Sequence, residues 1–134
     1  MRRVLVDTNV VISALLFPDS TPSRALRKVL VEDRLVLTAW ILDELHEVVA
    51  RKRADLLPAL DEFLAALAFE VVEPGAVGGT IADPDDKPIL DAALSSEVDV
   101  IVTGDRHFLE LTLERPEILT PRAYLDCPGD GRDS

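Results

Sequence analysis

Cysteine is nearly absent: Cys127 is the one thiol in 134 residues. That excludes an internal disulfide and the Cys/His spacing of a zinc site, and it fits a reducing compartment. Aromatic residues are scarce as well, with one Trp, one Tyr and four Phe. Trp40, Phe63 and Phe69 fall on helix patterns, so they read as core or contact residues rather than as platforms for stacked bases. No apolar run approaches the ~20 residues of a membrane span. The basic start Arg2-Arg3 meets Asp7 before a signal-peptide core can form, so the expected location is cytoplasmic. A Gly-rich GxxxxGK phosphate loop and a GxSxG nucleophile turn are both missing. The two histidines, His46 and His107, have no nucleophilic partner in sight.

Positive charge is also in short supply. Fourteen Lys and Arg stand against 25 Asp and Glu, for a net charge of −11. Taken alone, this balance argues against nucleic acid, whose phosphates usually select a basic surface. The argument reverses if several carboxylates converge on cations, because bound cations invert the local field. The positions of the acids therefore decide.

What is present is a hydrophobic content of 48%, enough for one domain over residues 1–126, with 127–134 expected to be a disordered tail. Continuous apolar runs predict strands at 4–7, 35–38, 70–72, 99–103 and 118–119. Helices are predicted at 10–17, capped by Thr8 or Asn9, and from Ser23 onward. Further helices are predicted at 39–53, 55–69, 85–97 and 106–111, with a closing segment at 121–125. Alternating strands and helices of this kind indicate an α/β layer fold around a mostly parallel sheet.

In such sheets ligands bind beyond the carboxyl ends of the strands. Asp7 and Asp105 both follow predicted strands. Glu44 lies roughly 60° from Ile41 and 40° from Val48 on its helix, bordering the buried stripe, whereas Asp43 points away. A carboxylate at the core margin is costly unless it is paired or metal-bound. Its structural alternative is a boundary residue bonded to Arg51 or to a loop amide. In the acidic segment 81–88, Asp86 shares a face with Ile89, Leu90, Ala93 and Leu94, while Asp91 is roughly 140° away. Asp85 suits an N-cap and Asp83 a turn. If Asp7, Glu44, Asp86 and Asp105 converge, hard cations such as Mg²⁺ or Mn²⁺ answer their repulsion. Thr8, Asn9 and Thr103 are small polar residues beside these acids, placed to orient the ligands of one or two ions.

These residues resemble a known family. The run Val4-Leu5-Val6-Asp7-Thr8-Asn9-Val10-Val11 resembles the opening of PIN-domain nucleases. So do Glu44-Leu45, Asp83-Pro84-Asp85-Asp86-Lys87 and Thr103-Gly104-Asp105-Arg106-His107-Phe108. Together, over residues 4–125, they are similar to the branch of VapC-type toxins. The resemblance implies a three-layer fold with a parallel sheet of four or five strands between helices. It implies Asp7, Glu44, Asp86 and Asp105 as catalytic, metal-holding acids, lined by Thr8, Asn9 and Thr103. It also implies Mg²⁺- or Mn²⁺-dependent hydrolysis of RNA, leaving 5′-phosphate and 3′-hydroxyl ends, with a cognate antitoxin and a homodimer as partners. His107 departs from the pattern, standing where many relatives carry a further acid.

Basic residues expected near the substrate are Arg24, Lys87 and Arg106, with Arg27 and Lys28 on the same helix as Arg24. The leucine-rich fourth helix is expected either to be fully buried or to offer a dimer or antitoxin surface. Two other function classes compete. A phosphotransfer domain with Asp7 as nucleophile lacks the Asp-x-Asp pattern, since residue 9 is Asn. A PIN-like RNA- or protein-binding module without cleavage is favoured by the acidity and disfavoured by the four acids.

Overall fold

The computed structural model describes residues 2–72, 98–105 and 117–127. The expected helices at 85–97 and 106–111 and the tail 128–134 lie outside them, as do Asp86, Lys87, Arg106 and His107. Five strands form one parallel sheet: β1 (Arg3–Val6), β2 (Arg34–Thr38), β3 (Phe69–Val72), β4 (Val100–Val102) and β5 (Glu117–Leu119). Their spatial order is β3-β2-β1-β4-β5. The chain thus builds outward from β1 to β3 and then returns to the other side of β1. The strand order reverses between β1 and β4, where Val4 pairs with both Leu35 and Val100.

Strands covered on both faces need continuous apolar sequence, and the two central neighbours comply. Val4, Leu5, Val6, Val100, Ile101 and Val102 are all buried. The helices α1 (Thr8–Leu16), α2 (Thr21–Glu32), α3 (Ala39–Lys52), α4 (Leu57–Ala66) and α5 (Pro121–Asp126) flank the sheet. Three of them start directly from a strand end, and the residue at each junction is the cap. Asp7 accepts from the Thr8 amide, Thr38 from that of Ile41 and Thr120 from that of Ala123. Side-chain oxygens at this position satisfy amides that have no partner within the helix.

Two expected boundaries move by the same logic. Ser20, not Ser23, caps α2, because Pro22 fits the first turn and Ser23 offers its amide to the Ser20 hydroxyl. The single helix expected at 55–69 is a 3₁₀ turn (Ala54–Leu56) followed by α4. Pro58 restarts it, and Phe69 joins β3 opposite Leu35. Of the fourth helix only Leu60 is buried; Phe63 and Leu64 are half-buried against the core, so full burial did not result.

The amino end of the sheet is tied by two aspartates. Asp99 accepts from the Arg3 amide at 2.9 Å. The Asp33 carboxylate, fully buried, accepts from the Arg2 guanidinium at 3.3 Å and from the Tyr124 hydroxyl at 2.5 Å. Lys28 lies over the Tyr124 ring, 4.7 Å from its centre, and donates to the carbonyls of Tyr124 and Cys127 at the end of α5. Lys28 is therefore engaged in structure rather than available to a substrate.

Candidate functional site

At the opposite, carboxyl end of the sheet acids from separate segments act on Asp7. Asp7 follows β1, and its backbone extends the ladder by donating to the Val102 carbonyl at 3.0 Å. Its side chain is buried at 7% exposure, yet both carboxylate oxygens are held. Oδ1 accepts from the Thr8 amide at 2.7 Å and Oδ2 from the Thr103 hydroxyl at 2.8 Å. Thr103 in turn accepts from the Asp105 amide at 2.9 Å. Its own amide reaches the Leu119 carbonyl, so β5 also braces this corner.

Glu44 enters from α3. It is half-buried, with Oε1 accepting from the Thr8 hydroxyl at 2.6 Å. Asp43 and Glu47 on the same helix are exposed, and Arg51 pairs with Glu47, not with Glu44. Trp40, Asp43, Glu44 and Glu47 line a groove of about 260 Å³ beside it.

The electrostatics follow from this placement. Burial pushes the Asp7 carboxyl above the usual aspartate range; hydrogen bonds from Thr103 and Thr8 pull it back in part. The charges of Asp105 and Glu44 push it up again. Asp105 and Glu44 thus both act on Asp7 at the point where strand order reverses, the general location of ligand crevices in such sheets. Among the described residues no three acids or histidines close into a formed metal cage. The donor set nevertheless suits a hard cation: oxygen only, several negative charges, one of them buried.

The sequence profile described as PIN domain matches residues 3–107. The chain belongs to the PIN-domain family. Among its relatives is the uncharacterized protein MJ1680 of Methanocaldococcus jannaschii, 28% identical over 134 residues, spanning 94% of this chain and 85% of the relative. The PIN fold itself is seen in two solved complexes. One is VapBC2 from Rickettsia felis bound to a promoter DNA fragment, with a TM-score of 0.65 and 19% identity over 87% of this chain and 96% of the other. The other is DNA-bound VapBC from Salmonella typhimurium, with a TM-score of 0.68 and 20% identity over 90% and 99%.

Within this PIN domain, three of the four acids singled out from sequence are described, and they are the three whose charges meet. Asp86 lies outside the described residues, as do Lys87 and Arg106. Thr8 and Thr103 line the site, but their hydroxyls hold carboxylates directly. Asn9 is exposed in the first turn of α1 and makes no hydrogen bond into this network among the described residues. Arg24 is exposed on α2. The cap of α1 is Asp7 rather than Thr8 or Asn9. The strong N-cap preference of Asp was a local signal for that; nothing local signals the contact between Thr8 and Glu44.

Proposed function

We propose that this PIN domain is a Mg²⁺- or Mn²⁺-dependent endoribonuclease, the toxin of a toxin–antitoxin pair, working in the cytoplasm. The observation that carries the reading is the mutual approach of Asp7, Glu44 and Asp105 at the strand-order reversal. In contrast, Asp33 at the amino end of the sheet is neutralised by Arg2. Asp7 is held by a neutral amide and a neutral hydroxyl, and Glu44 by a neutral hydroxyl, and neither forms an ion pair among the described residues, which leaves their charge for a cation.

Asp7, Glu44, Asp86 and Asp105 would hold one or two ions. Divalent ions in such a site lower the pKa of water and neutralise charge on the phosphodiester. Asp7 is the central ligand in this reading. Each of its oxygens carries one hydrogen bond and keeps a further acceptor position, and burial stops it from relaxing into solvent. Arg24, Lys87 and Arg106 are assigned to the RNA backbone. The VapBC complexes and the family resemblance support an antitoxin as protein partner. A homodimer through the half-buried apolar side of α4 is part of the same proposal.

The test is RNA cleavage with Mg²⁺ or Mn²⁺, with EDTA as control and Asp7→Asn in parallel. Metal-dependent products ending in 5′-phosphate and 3′-hydroxyl are expected from the wild type and none from the variant. Cleavage that persists in EDTA, or an Asp7→Asn variant as fast as the wild type, would overturn the assignment. RNA binding without cleavage would favour the non-catalytic alternative that the charge of −11 suggests.

A further inference from the structure

We propose that Thr8 is the residue that recruits Glu44 into the acid cluster, an inference that rests on the metal-centre reading above. Glu44 belongs to α3 and stands at the core margin, with Asp43 and Glu47 beside it and the Asp7 charge in front. Every one of these neighbours repels it. Among the described residues no Lys or Arg forms an ion pair with Glu44, and the nearby Arg51 is turned to Glu47. The charges of these described neighbours alone would turn this carboxylate toward solvent.

Thr8 opposes that. It is buried at 3% exposure and divides its two donors between two acids: the amide serves Asp7 Oδ1 at 2.7 Å and the hydroxyl Glu44 Oε1 at 2.6 Å. An ionised carboxylate only accepts, so the hydroxyl proton is committed to Glu44. The local sequence permits this division. Asp7 caps α1 with its own side chain, which relieves the adjacent hydroxyl of the capping duty that Thr performs elsewhere at Thr38 and Thr120. One residue thereby joins the end of β1 to α3 across 36 positions of sequence. Thr8 is a positioning residue: it acts on the ion site through Glu44.

Thr8→Val isolates the claim, since the amide that caps with Asp7 remains and only the hydroxyl is lost. Mn²⁺ titration followed by electron paramagnetic resonance on the full chain is the primary assay. Thr8→Val is expected to weaken Mn²⁺ binding about 10- to 100-fold, as loss of a partner to a metal ligand does. Thr8→Ser should restore most of it, and Thr8→Val should add nothing once Glu44→Ala is present. Wild-type Mn²⁺ affinity in Thr8→Val would overturn the proposal. So would an undiminished effect of Thr8→Val in the Glu44→Ala background.

A wild type that binds no Mn²⁺ would sink the metal-centre reading instead, and a metal-free measurement then decides the role of Thr8. By NMR, the Thr8 hydroxyl proton should exchange slowly with water in the wild type and rapidly in Glu44→Ala. Equal exchange in the two proteins would show that the tie does not exist. This arm needs only wild type and Glu44→Ala, so it holds even if Thr8→Val fails to fold.

Discussion

Asp7→Asn in EDTA exchanges a buried, like-charge-crowded carboxylate for a neutral amide of the same shape. Two effects oppose each other. Losing the charge removes repulsion from Asp105 and Glu44 as well as the penalty of burial. Repulsion from two nearby like charges costs on the order of 4 kcal/mol in a partly buried setting. Against this, the helix loses an anion at its N-terminus, worth about 0.3–1 kcal/mol. The Thr103 hydroxyl also loses a charged acceptor, about 1.5–3 kcal/mol. The Thr8 amide keeps its acceptor, because Asn caps as well as Asp.

The balance favours the variant by about 1 kcal/mol, or roughly 3–5 °C in Tm for a domain of this size. The pH dependence carries the same sign. A carboxyl whose pKa is raised on folding contributes stability that is present below its ordinary value near 3.8 and lost as pH rises through the raised value. The gap between Asn and Asp should therefore open with rising pH and close on acidification. Calorimetry in EDTA at several pH values, repeated with Mg²⁺ or Mn²⁺, is the assay. With ion at about 100 times its Kd, the wild type gains about 2.7 kcal/mol and should overtake the variant. A metal-free Asp7→Asn protein that melts several degrees below the wild type at neutral pH would refute the reasoning, making Asp7 a structural cap first. Equal stabilisation of both proteins by the ion would refute the site.

Tyr124→Phe removes a hydroxyl that donates to the fully buried Asp33 carboxylate. A loss of about 1.5–3 kcal/mol is expected in urea unfolding, with the acids at the other end of the sheet untouched; a change under 0.5 kcal/mol would mean that Arg2 alone satisfies Asp33. His46, bonded to the Leu42 carbonyl and then to Asp61, has its pKa raised by those two contacts in that order. Its protonated form therefore stabilises the protein below about pH 6.5, and this contribution fades as pH rises past the raised value. The pair is exposed, so the effect should stay within about 1 kcal/mol; His46→Gln should abolish it in unfolding curves at pH 5.5 and 8.5.

Much of this organisation was readable from residues alone, for identifiable reasons. Strands buried on both faces must be continuously apolar, so Val4-Leu5-Val6 and Val100-Ile101-Val102 declared themselves. Helical geometry separates inward from outward acids, and Glu44 is half-buried while Asp43 and Glu47 are exposed. Boundaries were less legible. Several residues near 20 and 54–58 are competent caps or helix starters, and packing chooses among them. The strand-forming role of Phe69 depends on its partner Leu35 in β2. Lys28 looked like an available cation; only its position over Tyr124 shows otherwise.

An α/β chain with acids at strand ends and at a helix margin follows from the order of residues, because side-chain periodicity and capping chemistry are local properties. Which of those acids meet was decided by tertiary structure. Returning the chain across β1 puts the ends of β1 and β4 side by side, sets Asp7 against Asp105, and lets Thr8 reach Glu44 across 36 residues. Mutual repulsion among carboxylates is a through-space quantity, and no spacing along the chain encodes it.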